Sequence, residues 1–266
     1  MNNLVFGKYI PLDTPVHRLD PRIKIISLIL MIVAIFIPKD FYAYAIIAVF
    51  VFTLVFLSKL KLSFVLRSFK PMLFMVVFLL VINIFSIKTG TLWFSYGFIN
   101  IYSDAVMNTL FIMIRLFLMI MVTTVLTATT KPLDLTLGLE YLLNPLKYLK
   151  FPTHEVAMMI SIALRFIPTI IEETMRIMNS QKSRGVDFEE GKLSEKIKAI
   201  LSLIVPLFSV AFERAYELAD AMEARGYIPG AERTRYRTLK YSWADFLFLG
   251  MTIVLMVGMI FMRFYL

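Results

Sequence analysis

The sequence contains no cysteine and only two histidines, His17 and His154. Disulfide frameworks, thiolate metal sites and cysteine nucleophiles are excluded, and two imidazoles leave little for metal or haem ligation. Charge is scarce as well: 18% of the 266 residues are Asp, Glu, Lys or Arg. Apolar residues fill the chain instead, at 59% with a mean hydropathy of +0.77, against roughly 45–50% in a soluble domain. No single soluble core hides that much apolar surface, so this is the sequence of an integral membrane protein. Its 28 Lys+Arg against 19 Asp+Glu give +9. In a membrane protein such an excess signals positive cytoplasmic loops before it signals nucleic acid.

The N-terminus imitates a signal peptide, with Arg18, Arg22 and Lys24 before an apolar run and a small-residue Ala43-Tyr44-Ala45 site. The polar leader is long, however, and Pro38-Lys39-Asp40 splits the pattern before a second apolar stretch. Two spans joined by a tight turn account for all of it, and no cleavage is expected. Hydropathy gives five spans, near residues 23–37, 41–57, 71–87, 105–128 and 243–262. The first, at about 22 Å, falls short of a roughly 30 Å hydrocarbon core. Snorkelling of Lys24 and local thinning are expected to fit it.

Loop charge sets the orientation. The leader holds Lys8, Arg18, Arg22 and Lys24, the second connection holds Lys59, Lys61, Arg67 and Lys70, and residues 131–240 carry sixteen Lys or Arg. The two alternate connections, 38–40 and 88–104, carry one Lys each. The N-terminus is therefore expected in the cytoplasm and Leu266 outside, with Arg263 the one exception to the rule. This divides the chain into a four-span bundle (1–130), a cytoplasmic domain (131–240) and a last span (241–266).

Residues 131–240 are neither cleanly membrane nor cleanly soluble. Two apolar stretches, 154–171 and 197–212, run without a turn signal into charged helical continuations, 172–182 and 213–223. Each reads as one long helix, with Pro168 or Pro206 expected to kink its apolar half. Two further spans, seven in all, remain the alternative. Ala211, Ala215 and Ala219 give one smooth face that permits close helix approach. Glu213, Glu217 and Asp220 read as a solvated face beside it. Both helices end alike, in Ser183-Arg184-Gly185 and Ala224-Arg225-Gly226. Gly suits a left-handed C′ position and Arg the negative end of the dipole. Capping explains either copy alone. Two copies in one region also suit a pair of rigid donor forks aimed at acidic grooves on a partner.

These paired tips resemble those of the transmembrane T component of energy-coupling factor (ECF) transporters, importers powered by ATP-binding cassette ATPases. The run Ala219-Asp220-Ala221-Met222-Glu223-Ala224-Arg225-Gly226-Tyr227 is similar to the family's second motif, and His17-Arg18-Leu19-Asp20-Pro21-Arg22-Ile23-Lys24 to its N-terminal signature. Ser183 departs from the family's usual Ala but stays small. The resemblance covers essentially the whole chain. It implies an all-α, L-shaped membrane protein, with about five transmembrane helices and a cytoplasmic coupling domain of long helices. It also implies docking of Ser183, Arg184, Gly185, Ala224, Arg225 and Gly226 into two ATPase subunits. A membrane-embedded, substrate-binding S component would rest on the apolar coupling surface, at Ile197, Leu201, Leu207, Ala211 and Ala215. ATP-driven closure of the ATPases would move the helices and topple the S component, releasing a vitamin or other micronutrient into a bacterial or archaeal cell.

Other chemistries fail on the residues. A Walker A loop needs four residues between its glycines and a Ser/Thr after Lys; here five separate Gly185 from Gly191, and Leu193 follows Lys192. The spans offer Arg115 and Asn83 but no carboxylate pair, His or Ser/His arrangement, so no catalytic residue, cofactor or metal is expected. Arg115 is expected to satisfy carbonyls inside the bundle. The basic tract 233–237 with Lys240 suits anionic lipid better than nucleic acid. A free-standing secondary transporter is the alternative function, although the chain shows neither duplicated halves nor a midplane polar site.

Overall fold

The computed structural model describes residues 9–96, 99–145, 153–188, 192–228 and 239–265. Lys8, Gly191, the tract 233–237 and Leu266 lie outside the described residues. The chain is all-α but for one hairpin, and it divides into two compact units, Met1–Leu142 with Leu239–Leu266, and Leu143–Thr238.

The first unit holds α1 (Pro15–Arg18), α2 (Pro21–Phe36), α3 (Phe41–Leu57), α4 (Leu62–Ser86), the antiparallel strands β1 (Leu92–Tyr96) and β2 (Ile99–Tyr102), α5 (Ser103–Thr129), α6 (Pro132–Leu143, but for its last residue) and α9 (Trp243–Tyr265). Its core runs along α2, α3 and α5, where Met31, Ile35, Ile47, Val51, Leu118 and Met121 are fully buried. The outward faces are apolar too: Phe56 on α3, Phe74 on α4 and Val254 on α9 are 83%, 82% and 72% exposed. Apolar inside and outside is the pattern of a bundle solvated by lipid. Three described helices, α4, α5 and α9, are long and apolar enough to cross a membrane. The 17-residue α3 is apolar but shorter.

Four expected spans lie within a few residues of α2, α3, α5 and α9. The other differs: α4 starts at Leu62 and runs through Pro71. An interior proline loses one ladder hydrogen bond and crowds the carbonyl four residues before it, yet the apolar helix continues through Pro71 from the turn after α3, where Lys59 takes φ +51°. The 88–104 connection holds the hairpin, which the hydropathy pattern does not reveal. Helix α6 packs with the first unit, and a Cβ on its Gly138 would stand 3.1 Å from Pro21 Cβ.

Lys24 does not snorkel. It is 5% exposed, and Nζ donates to the Thr129 carbonyl (3.0 Å), Thr130 Oγ1 (3.1 Å) and the His17 carbonyl (3.3 Å). The end of α5 offers unpaired carbonyls and a negative dipole, a better ammonium site than a distant headgroup. Arg115 likewise meets no carbonyl among the described residues: Nη2 donates to the Tyr44 hydroxyl (2.9 Å), and the guanidinium lies 5.0 Å from the Phe36 ring centroid.

Candidate functional site

The second unit is built on α7 (Thr153–Ser183) and α8 (Leu193–Ala224), which pack against each other. Both run unbroken past Pro168 and Pro206. At 1.5 Å per residue each extends about 46–48 Å. The start of α8 is held by Glu195, whose Oε2 accepts from the Lys192 N–H at 3.0 Å.

Both helices close with the same cap. Gly185 and Gly226 take φ of +86° and +72°. At the first tip, Gly185 N–H donates to the Lys182 carbonyl (3.0 Å) and Val186 N–H to Gln181 (3.1 Å). At the second, Gly226 N–H donates to Glu223 (2.8 Å) and Tyr227 N–H to Met222 (2.9 Å). This paired arrangement is the Schellman motif, with Gly at C′ and Arg184 or Arg225 as the residue just before it. Both arginines are exposed, and neither guanidinium makes a hydrogen bond or ion pair among the described residues. Ser183 is exposed and returns its hydroxyl to the Asn179 carbonyl at 3.1 Å. Capping therefore uses the glycines and the backbone, and leaves both charged forks without a partner among the described residues.

The two tips do not form one cluster. Gly185, Val186 and Asp187 line an open cavity of about 500 Å³ with Glu195, Lys198, Ala199 and Ser202 on the first turns of α8. The second tip lies at the other end of that helix. Between them α8 presents a continuous apolar face: Ile197, Leu201, Phe208 and Phe212 are 51%, 51%, 60% and 59% exposed. Ala211 and Ala215 are exposed on the same face, while Leu207 is half-buried at its edge. The Phe208 and Phe212 rings stack with centroids 6.2 Å apart. Contiguous apolar surface of this extent suits lipid or a protein partner rather than water.

The N-terminal signature is structural: its Asp20-Pro21 start of α2 is a local signal, whereas its ties to α9 and α6 are long-range. Asp20 caps α2 by accepting from Arg22 N–H (2.8 Å) and pairs with the buried Arg22 guanidinium (2.9 Å). Asp20 N–H donates to Asp245 Oδ1 (2.7 Å), and Arg22 lies 3.8 Å from the Tyr241 ring centroid and 4.8 Å from that of Tyr141. The leader thus clasps the start of α9 and one face of α6. His17 completes it, with Nε2 donating to the Ile10 carbonyl (3.0 Å) and Nδ1 facing Thr14 Oγ1 (2.6 Å). Burial pushes the His17 pKa below the usual imidazole value. Outside the clasp, Arg18 holds the exposed Asp13 carboxyl below the ordinary range.

The chain is similar to known proteins over nearly its whole length. The family model described as "Cobalt transport protein" (CbiQ) matches residues 13–236. The chain is 44% identical over 263 residues to the "Energy-coupling factor transporter transmembrane protein EcfT" of Bacillus subtilis (strain 168), covering 99% of each chain. It is 44% identical over 245 residues to the protein of that name from Macrococcus caseolyticus, covering 92% of each. The Lactococcus lactis subsp. cremoris protein is 41% identical over 260 residues, 98% of each. With an all-α membrane fold and full-length similarity, the chain belongs to the EcfT family of energy-coupling factor transporter transmembrane proteins.

Proposed function

We propose that the chain is the subunit that links two ATP-binding cassette ATPases to a membrane-embedded, substrate-binding S component in the import of a vitamin or other micronutrient. The observation that carries this reading is the pair of identical helix caps, each leaving an exposed arginine with no partner among the described residues. Arg184 docks on one ATPase and Arg225 on the other, with Ser183, Gly185, Ala224 and Gly226 keeping each tip narrow. The S component rests on the α8 stripe, at Ile197, Leu201, Ala211 and Ala215, with Leu207 at its edge. ATP is hydrolysed in the partners, and this chain transmits their closure.

The same reading places five crossings in the membrane, the N-terminus and second unit in the cytoplasm, and the C-terminus outside. A free-standing carrier would leave the two arginines and the α8 stripe without a role. Co-expression with candidate ATPase and S-component genes tests the choice. Two ATPases retained through purification, with uptake only by the full assembly, is the expected result. Solute movement by the chain alone in liposomes would contradict it.

A further inference from the structure

Arg115 lies about 18 Å along α5, counting 1.5 Å per residue from Ser103, yet its guanidinium turns towards the end of α2 and the start of α3. Its Nη2 donates to the Tyr44 hydroxyl at 2.9 Å, and Tyr44 in turn donates to the Pro38 carbonyl at 3.2 Å. Its Nε is buried and has no hydrogen-bond partner. From the far end of α9, Arg263 reaches the same turn, with Nη1 donating to the Ile37 carbonyl at 3.2 Å. Lys39 is exposed within the turn. The one carboxylate there, Asp40, is exposed, forms no cap hydrogen bond and makes no ion pair among the described residues. Each guanidinium has five N–H donors and, among the described residues, spends one of them on a neutral oxygen.

A cation in the bilayer needs a counter-charge or a path to the headgroups. No acid pairs with Arg115 among the described residues. Helices α2 and α3, with 16 and 17 residues, extend only about 24–26 Å at 1.5 Å per residue. A hydrocarbon layer of about 30 Å must thin to meet their shared turn, which draws phosphates towards it. Guanidinium and phosphate match as planar fork and oxyanion. We infer that the rim of the α2–α3 turn, between Arg115 and Arg263, binds the phosphate of an anionic phospholipid headgroup. Among the described residues, three cations (Arg115, Arg263 and Lys39) against one carboxylate (Asp40) favour an anionic lipid over a zwitterionic one. This inference needs only that the first unit spans a membrane, and it is independent of the ATPase reading.

The full chain in mild detergent is titrated with phosphatidylglycerol, phosphatidylcholine or inorganic phosphate, and bound lipid is counted by native mass spectrometry. The expected result is one tightly retained phosphatidylglycerol. Its affinity should fall on the order of tenfold or more in Arg115→Gln and in Arg263→Gln, as for removal of a charge-assisted bond. Arg115→Lys should recover part of the loss. Arg263 is exposed at the end of α9, so Arg263→Gln gives an answer even where Arg115→Gln does not fold. Unchanged affinity in Arg263→Gln would overturn the proposal, as would equal retention of phosphatidylcholine. Displacement of the lipid by low millimolar phosphate would overturn it too, and assign a free-anion site instead.

Discussion

Gly185 and Gly226 have open space where a Cβ would stand, with no atom within 4 Å. Substitution by Ala meets no clash there, and its cost is the left-handed backbone alone, about 1–2 kcal/mol. We expect Gly185→Ala and Gly226→Ala to lose hydrogen-exchange protection at the Val186 and Tyr227 amides, which close the caps. Asn, which tolerates this conformation, should lose less; equal protection in the Ala variants would contradict the cap assignment. These tips are legible in the sequence because a Schellman cap spans only six residues and Gly announces it. The Thr129 carbonyl that receives Lys24 and the Tyr44 hydroxyl that receives Arg115 are not legible, because they lie 105 and 71 positions away. Hydropathy reports that a cation sits in a span but carries no information about which distant oxygen receives it.

Helix existence is readable from apolar runs and boundaries less so, since a strongly apolar helix can continue through a proline despite the lost hydrogen bond and the crowded i−4 carbonyl, as α4 does at Pro71. The hairpin does carry a local signal: Leu92, Trp93, Phe94, Tyr96, Ile99, Ile101 and Tyr102 flank Gly97, and most of them are β-formers. Hydropathy windows average such short strands away. Helix α2 is short, and its seat depends on Lys24 tying it to the last carbonyl of α5. Lys24→Met keeps the stem and removes the donor, leaving the Thr129 carbonyl and Thr130 hydroxyl without it. A loss of about 1–3 kcal/mol is expected, read as a lower midpoint of thermal unfolding in detergent. An unchanged midpoint would show that the lysine contributes nothing to the seat. The apolar stripe of α8 is visible in the sequence as a period, but that it stays uncovered along its length emerges only from the fold.

The chain as a whole combines an apolar helical bundle with a second unit of two long helices, of which α8 exposes an apolar stripe. Its proposed orientation follows from loop charge, and a chain without cysteine makes it easy to test. A cysteine at the exposed Lys88 should react with an impermeant reagent from outside the cell, and one at the exposed Lys192 only after permeabilisation. The reverse pattern would invert the topology. Arg184 and Arg225 are the proposed docking groups. Neither has a partner among the described residues, so Arg184→Ala and Arg225→Ala should leave folding intact. Truncating a desolvated charged group at an interface costs about 2–5 kcal/mol, or about 30-fold or more in affinity. Lys should rescue poorly, because a point charge does not reproduce the planar fork. The most direct test is recovery of the ATPases by the folded double variant Arg184→Ala/Arg225→Ala: they should no longer co-purify, and wild-type recovery would exclude docking through these arginines.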